Sequence, residues 1–255
     1  MKRVLVIGDS CSDVFRYGTC ERLSPEAPVP VMKPTNTTGN GGMAINVHEN
    51  LKALGVEADI LTNDIRPVKT RYVDEVSNQI LLRVDESDKI RPITADMLQK
   101  IDYSKYDAIV ISDYDKGYLT EDDIIYISNR HGLIFMDTKK DLSGWALGVK
   151  FIKINNKELE RNYDWLHDVY VGNNEGHLIA TNGGDGAVLD FAERFPIVKK
   201  HEVRDLSGAG DTFLAGLVAS YINNDDICAA IEFANRCAAW VVSQKGVAVV
   251  NPEKI

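Results

Sequence analysis

A carboxylate beside a glycine-rich turn is the strongest chemical signal in this 255-residue chain: Gly208-Ala209-Gly210-Asp211 stands at the head of an apolar helical run. Glycines at 208 and 210 let the backbone take positive φ and approach a ligand closely. The free N–H groups of a helix start, with the positive end of the helix dipole, attract an anion. A phosphoryl group suits that hole. Asp211 would repel the same group, so its presence needs a chemical reason, and taking a proton from an attacking hydroxyl supplies one. A plain loop with Asp211 as a helix cap is the alternative that this segment alone leaves open.

The elements that must carry this turn read as an α/β protein. Short β-rich runs at 4–7, 57–61, 108–112, 133–137, 150–154, 177–181 and 186–191 alternate with helical patterns at 44–54, 121–130, 156–161, 211–222 and 227–244. That alternation is the signature of a mostly parallel sheet layered between helices. Residues 23–34 hold prolines at 25, 28, 30 and 34, which excludes a helix and predicts an extended edge strand. Residues 69–85 are strand-like with polar interruptions, and the two segments are expected to pair as a small sheet. The length predicts one domain over 1–255 with this sheet as an appendage.

A net charge of −9 argues against nucleic acid or an anionic membrane as the main partner, although a local basic pocket survives in an acidic protein. The apolar run at 4–7 is too short for a signal sequence, and no segment approaches the ~20 apolar residues of a membrane span, so a soluble, cytoplasmic protein is expected. The four cysteines show no Cys-x-x-Cys spacing and indicate neither zinc nor a disulfide framework.

In open α/β sheets ligands bind beyond the carboxyl ends of the strands. Here those ends carry Gly8-Asp9-Ser10 with Asp13, Ser112-Asp113-Tyr114 with Lys116, Asp137-Thr138-Lys139, Asn155 with Glu158, and Thr181 with Gly183 and Gly186. Each cluster is weak alone, because strand ends are polar in every soluble protein. Their convergence with the 208–211 turn is stronger. Asp9 and Asp13 accept hydrogen bonds from hydroxyls, Asn46 both donates and accepts, and the amides around Gly41 and Gly42, read as a loop into the helix at 44–54, suit a polyol. Lys69, Arg71, Arg83 and Lys116 are candidate cations for an anionic group on it. The chain has no Gly-x-x-x-x-Gly-Lys-Ser/Thr loop, no His-Arg-Asp or Asp-Phe-Gly set, and no complete Gly-x-Gly-x-x-Gly pattern.

These residues resemble the ribokinase-like (PfkB) family of carbohydrate kinases. Gly39-Asn40-Gly41-Gly42-Met43-Ala44-Ile45-Asn46 is similar to its N-terminal signature, Asn155-Asn156-Lys157-Glu158 to its Asn-x-x-Glu motif, and 205–211 to its C-terminal signature. The resemblance implies a three-layer αβα sandwich with a mostly parallel central sheet and a small β lid at about 11–34 and 69–85. It implies ATP and Mg²⁺ as cofactors, leaves room for a monovalent cation, and gives a sugar or sugar phosphate as partner. By the same resemblance Asp211 is the base, Gly208, Ala209 and Gly210 are the anion hole, and Asn155 and Glu158 organise Mg²⁺ and phosphate, Glu158 through water. Thr181, Gly183, Gly186, Asn235 and Gly246 would lie along the nucleotide site, and the lid offers a surface for a homodimer.

Within the family, residues 22–31, 78–85 and 112–117 resemble the branch that phosphorylates the C1 hydroxyl of a heptose 7-phosphate, whose own phosphate would give the lid cations a partner. Two departures stand out. Between Thr62-Asn63-Asp64 and Pro67-Val68-Lys69 the family usually has a helix and a strand, so sheet edge and pocket are expected to differ. The chain ends at Ile255, without room for the nucleotidyltransferase half of the bifunctional relatives, so a stand-alone kinase is expected. A kinase of another sugar, or a non-catalytic sugar or nucleotide sensor on the same fold, stays open at this point. Retention of Asp211, Asn155 and Glu158 counts against the sensor.

Overall fold

In the computed structural model, which describes residues 2–86, 90–171, 176–199 and 201–255, the chain opens with β1 (Arg3–Gly8), β2 (Ser10–Leu23), β3 (Pro30–Met43), α1 (Ala44–Ala53), β4 (Glu57–Thr62), β5 (Val68–Asp74) and β6 (Ile80–Glu86). The middle part holds α2 (Ala95–Gln99), β7 (Ala108–Asp113), α3 (Glu121–Ser128), β8 (Ile134–Thr138), β9 (Phe151–Asn155), α4 (Asn156–Arg161), α5 (Tyr163–Tyr170) and β10 (His177–Thr181). It closes with β11 (Ala187–Leu189), β12 (Glu193–Phe195), α6 (Ala209–Asn224) and α7 (Ile227–Val241).

Eight strands form the main sheet in the order β12-β11-β10-β9-β8-β7-β1-β4, parallel from β10 to β4 and antiparallel at β11 and β12. Successive side chains point to opposite faces of a strand, and the sequence uses both. Val4, Val6, Val110, Phe135 and Phe151 pack with α1, α6 and α7, while Leu5, Ile7, Ile109, Ile111, Met136 and Ile152 pack on the other side with α3 and α5. The result is a three-layer αβα sandwich. β1 pairs with β4 on one side and β7 on the other, so the direction of strand progression reverses at β1 and opens a crevice beyond its carboxyl end. Among the described residues no helix is long and apolar enough to cross a membrane.

The second sheet, β3-β2-β5-β6, is larger than the sequence suggests. Pro25 and Pro28 stand in the turn between β2 and β3 rather than in an edge strand. Pro30 opens β3, and Pro34 sits beside a register shift where a missing N–H is tolerated. The glycine stretch at 39–42 is strand and not loop, because residues 11–14 of β2 pair with it across the ladder. α2, α5 and β12 lie outside the elements expected from sequence: α2 and β12 hold five and three residues, too few to establish a repeat, and α5 follows α4 after a single residue. β4 forms the edge of the main sheet, and the short segment after it is pinned by Asn63. The Asn63 amide accepts from Ser10 N at 2.7 Å and donates to the carbonyls of Ser10 and Ile65 at 3.0 and 2.7 Å.

Asp9 corrects one expectation. Its carboxylate is 1 % exposed and accepts the backbone N–H groups of Tyr114 at 2.6 Å, Lys116 at 3.2 Å and Tyr118 at 3.3 Å. Burial, followed by the neighbouring Asp113, pushes its titration up to about 6. Asp9 therefore shapes the loop after β7, and at 1 % exposure it is shut off from a polyol. Replacing it with alanine leaves three amides without this acceptor, the Tyr118 one buried and the other two partly so, at roughly 1–3 kcal/mol for each that finds no water. Asp9→Ala is expected to lower the free energy of unfolding by several kcal/mol, read as a lower urea midpoint, and an unchanged midpoint would refute this role.

Candidate active site

The 208–211 turn opens α6. Gly208 is its N-cap at φ 81°, and a Cβ there would meet the Asn46 amide nitrogen at 2.6 Å and Val247 at 3.0 Å, so only glycine fits. Asp211 is thus the third helical residue and not the cap. Its carboxylate is 4 % exposed, accepts from the Tyr114 hydroxyl at 2.7 Å and from the Asn46 amide at 3.1 Å, and is pushed up to about 6 by burial against the pull of those two donors. A carboxylate that titrates near neutrality is suited to exchange a proton. The backbone N–H groups of Gly210 and Asp211 meet no acceptor among the described residues, which leaves the helix start open to an anion.

Asp211 borders a cavity of about 380 Å³ lined also by Cys11, Asp13, Met43, Lys69, Arg71, Arg83, Tyr114, Lys116, Lys139, Ser207, Gly208 and Val247. All four cations expected from sequence, Lys69, Arg71, Arg83 and Lys116, converge here, joined by Lys139. Five cations and two carboxylates line the cavity, and Asp85, Asp137 and Glu158 meet Arg83 and Lys139 from outside its lining. Arg71 is buried and bonded to Asp13, with its guanidinium 5.0 Å from the Phe15 ring centre. Arg83 grips Asp85 with two hydrogen bonds, at 2.7 and 2.6 Å. Tyr114, noted from sequence within a strand-end cluster but given no role of its own, gains one here. Lys139 and Lys69 lie 5.2 and 6.0 Å from its ring centre, so one side chain links the cations to Asp211.

Asn46 differs from expectation. It is buried, bonded to Asp211 and to Gly208 O at 3.3 Å, and does not line the cavity, so it orients the carboxylate instead of facing a polyol. Gly42 packs against Asp13 and Cys11, and Gly41 against Ile45.

Beneath the turn runs a chain of alternating charges. Lys153 Nζ lies 2.5 Å from Asp137, Lys139 lies 3.2 Å from Asp137, and Lys139 lies 2.5 Å from Glu158. Burial opposes charge on Lys139, but Asp137 and Glu158 outweigh it and raise its titration. Asp137 is held low by the two lysines despite its own burial. Asn155 caps α4 by accepting from Lys157 N and Glu158 N. Glu158 answers by accepting from Asn155 N and Nδ2, both at 2.8 Å, so the Asn-x-x-Glu motif is a capping box joined to a lysine.

The expected nucleotide residues divide. Thr181 donates to Ile154 O at 3.0 Å, Gly183 opens a short turn at positive φ, and Gly186 packs against the Phe195 carbonyl. The Asn235 amide donates to that same carbonyl at 2.8 Å and lines a second cavity, of about 430 Å³, with Pro196, Lys199, His201, Arg236 and Trp240. Gly246 lies elsewhere, in a third cavity with Phe15, Tyr17, Asp205 and Ser207 beneath the lid. That placement separates it from the others, because the segment after α7 folds back toward β2.

Comparison with known proteins accords with this geometry. The family model described as pfkB family carbohydrate kinase matches residues 73–254. The curated bifunctional protein HldE of Helicobacter pylori strain J99 is 33 % identical over a 307-residue span that covers all of this chain and 66 % of the relative. The chain therefore spans about two thirds of that protein's length. Among solved structures, phosphofructokinase-2 from Escherichia coli, in complex with potassium, has a TM-score of 0.76 at 13 % identity and covers 100 % of this chain and 97 % of that one. Ribokinase from Cryptococcus neoformans, in complex with ADP, has a TM-score of 0.70 at 13 % identity, with 99 % and 98 % covered. Both share the ribokinase-like fold.

The folded protein binds the Asp211 proton more tightly than the unfolded chain, where the group titrates near 3.8. Ionising it therefore costs stability, an effect absent below pH 3.8 and fully present above about pH 6. At about 1.4 kcal/mol per unit the cost is about 3 kcal/mol. Asp211→Asn removes it, so that variant is expected to be 2–3 kcal/mol more stable than wild type at pH 8 and about equal at pH 4. Urea unfolding at the two pH values checks this, and equal stability at pH 8 contradicts it.

Proposed function

The chain belongs to the pfkB family of carbohydrate kinases, and from that premise we propose that it transfers the γ-phosphoryl group of ATP to the C1 hydroxyl of a heptose 7-phosphate, with Asp211 as base. The observation that carries this reading is Asp211 at the open end of an anion-binding turn, inside a pocket with five lining cations. Lys69, Arg71, Arg83 and Lys116 receive the phosphate that the sugar already bears. Asp13, fixed by Arg71, accepts from a ring hydroxyl. The phosphoryl group meets the N–H groups of Gly210 and Asp211. As the sugar oxygen attacks phosphorus its proton passes to the Asp211 carboxylate, the bond from phosphorus to the ADP oxygen breaks, and ADP leaves. Donors of this kind are typically worth about 3 kcal/mol each in kcat.

ATP as donor is supported by the likeness to a ribokinase solved with ADP, and the cavity beside Asn235 suits its base. Mg²⁺ bound with the nucleotide would neutralise charge on the phosphates. The residues present fit it in that role: Glu158, whose oxygens are held by Asn155 and Lys139, would act on the ion through water and not as a direct ligand.

A coupled ADP-release assay over sugars and sugar phosphates tests the assignment. The expected result is highest kcat/KM for heptose 7-phosphate, a loss of at least ~100-fold for the unphosphorylated heptose, and no turnover by Asp211→Asn with ADP binding retained. Lys69→Met should raise KM for the phosphorylated sugar and leave that for the unphosphorylated one alone. Near-native kcat in Asp211→Asn rules out the base. Preference for a different phosphosugar keeps the kinase and removes the heptose.

The lid carries a second proposal, a homodimer. All seven positions of the edge strand β6 are exposed, including Ile80, Leu81, Leu82 and Val84, an apolar edge that monomers ordinarily protect. Sedimentation should give a dimer at about 10 μM for wild type, in the usual range of specific interfaces, and a monomer for Leu82→Arg. A wild-type monomer at that concentration rejects it.

A further inference from the structure

One charged group near Asp211 is left without a role by the chemistry above. Lys153, on β9, is 3 % exposed, and its ammonium has one hydrogen-bond acceptor among the described residues, Asp137. A lysine ammonium carries three donors, and a buried donor left unpaired is costly. Its position is unusual for a cation. The space that a Cβ on Gly210 would occupy lies 2.9 Å from Lys153 Nζ and 3.9 Å from Asp137 Oδ2. The ammonium therefore sits against the first turn of α6, where the helix dipole is positive and the Gly210 and Asp211 amides are open. Lys153 and Asp137 are register partners on adjacent parallel strands, so this location is fixed by the sheet and not by a flexible surface. Asp137 also serves Lys139, and the two lysines share it. Glu158 balances Lys139, so the network is neutral as it stands; what remains at this point is the spare donors of Lys153 and an open helix start, and an anion seated there satisfies both.

We propose that Lys153 is a catalytic cation of this protein, donating to the phosphoryl group on the 208–211 turn while that group passes from ADP to the sugar oxygen. This rests on the kinase reading above. Lys153 keeps its proton throughout; the only proton transferred is the one from the sugar hydroxyl to Asp211. Glycine at 210 has a further reason here, since any side chain would displace the ammonium.

The test uses Lys153→Met, which keeps length and removes charge, and the double variant Asp137→Asn/Lys153→Met, which removes the pair and keeps the interior neutral where the single variant fails to fold. The probe is ADP with Mg²⁺ and aluminium fluoride, a mimic of the group in transfer, titrated by calorimetry with no sugar needed. The expected result is a loss of 30-fold or more in affinity for the mimic in both variants, with ADP affinity within about threefold and a parallel fall of ~100-fold or more in kcat. A mimic that binds wild type no tighter than ADP overturns the proposal. So does a double variant with wild-type kcat, which would make Lys153 a mere counter-charge for Asp137. Absence of turnover with every sugar, alongside a mimic affinity that depends on Lys153, overturns the choice of reaction and leaves the cation standing.

Discussion

Asp211 is held from two directions, and most of the site follows from that bracket. Asn46 reaches it from the first turn of α1, and Tyr114 reaches it from the loop after β7, while the residue itself belongs to α6. A buried carboxylate is tolerable only when donors meet it. The donors come from elements far apart in sequence, so the helix that carries the turn, the helix after the lid and the loop after β7 must be in register before the carboxylate is satisfied. Asp9 performs the same service one layer down, gathering the amides that give Tyr114 its position. The two aspartates form a relay of positioning: one shapes the loop, and the loop presents the hydroxyl that steadies the other.

Charge near the turn is arranged in shared pairs, two lysines against two carboxylates. Asp137 is shared between Lys139 and Lys153, Glu158 is shared between Lys139 and its own capping box, and Asp13 is committed to Arg71. Buried pairs of this kind contribute little net stability, because desolvation consumes most of the Coulomb gain. Their effect is on the field. An acidic protein lines one cleft with cations, and an anion entering it exchanges water for fixed donors that need no reorganisation.

Much of this was legible in sequence where a residue type has a narrow physical purpose. Glycine at 208, four basic residues on segments without helical period, and polar clusters at the ends of apolar strands each pointed to one place, and the cations do meet there. What escaped was every role set by a neighbour distant in the chain. Asp9 and Asn46 read as ligands for hydroxyls because their chemistry allows it; whether a carboxylate faces a pocket or three backbone amides depends on folding of residues 114–118. Tyr114 stood in a cluster already noted, yet nothing local says that its hydroxyl ends on Asp211, 97 positions away. The glycines at 39–42 looked like a loop because glycine is usual in loops, and pairing with β2 overrode that preference.

The abbreviated connection after β4 gives the clearest link between a sequence departure and the site. Only residues 63–67 separate β4 from β5, and Asn63 ties their start to Ser10 at the foot of the lid. β5 therefore enters the lid with little slack and pairs in parallel with β2, Asp13 beside Lys69 and Phe15 beside Arg71. That register is what turns two basic residues toward the cavity: a slip by one residue would send both to the opposite face of the sheet. A longer connection would have to reach the same register by packing alone. Here the short tether, the Asn63 amide and the Asp13 to Arg71 ion pair impose it together, so the missing segment narrows the freedom of the lid without removing a group from the turn at 208–211.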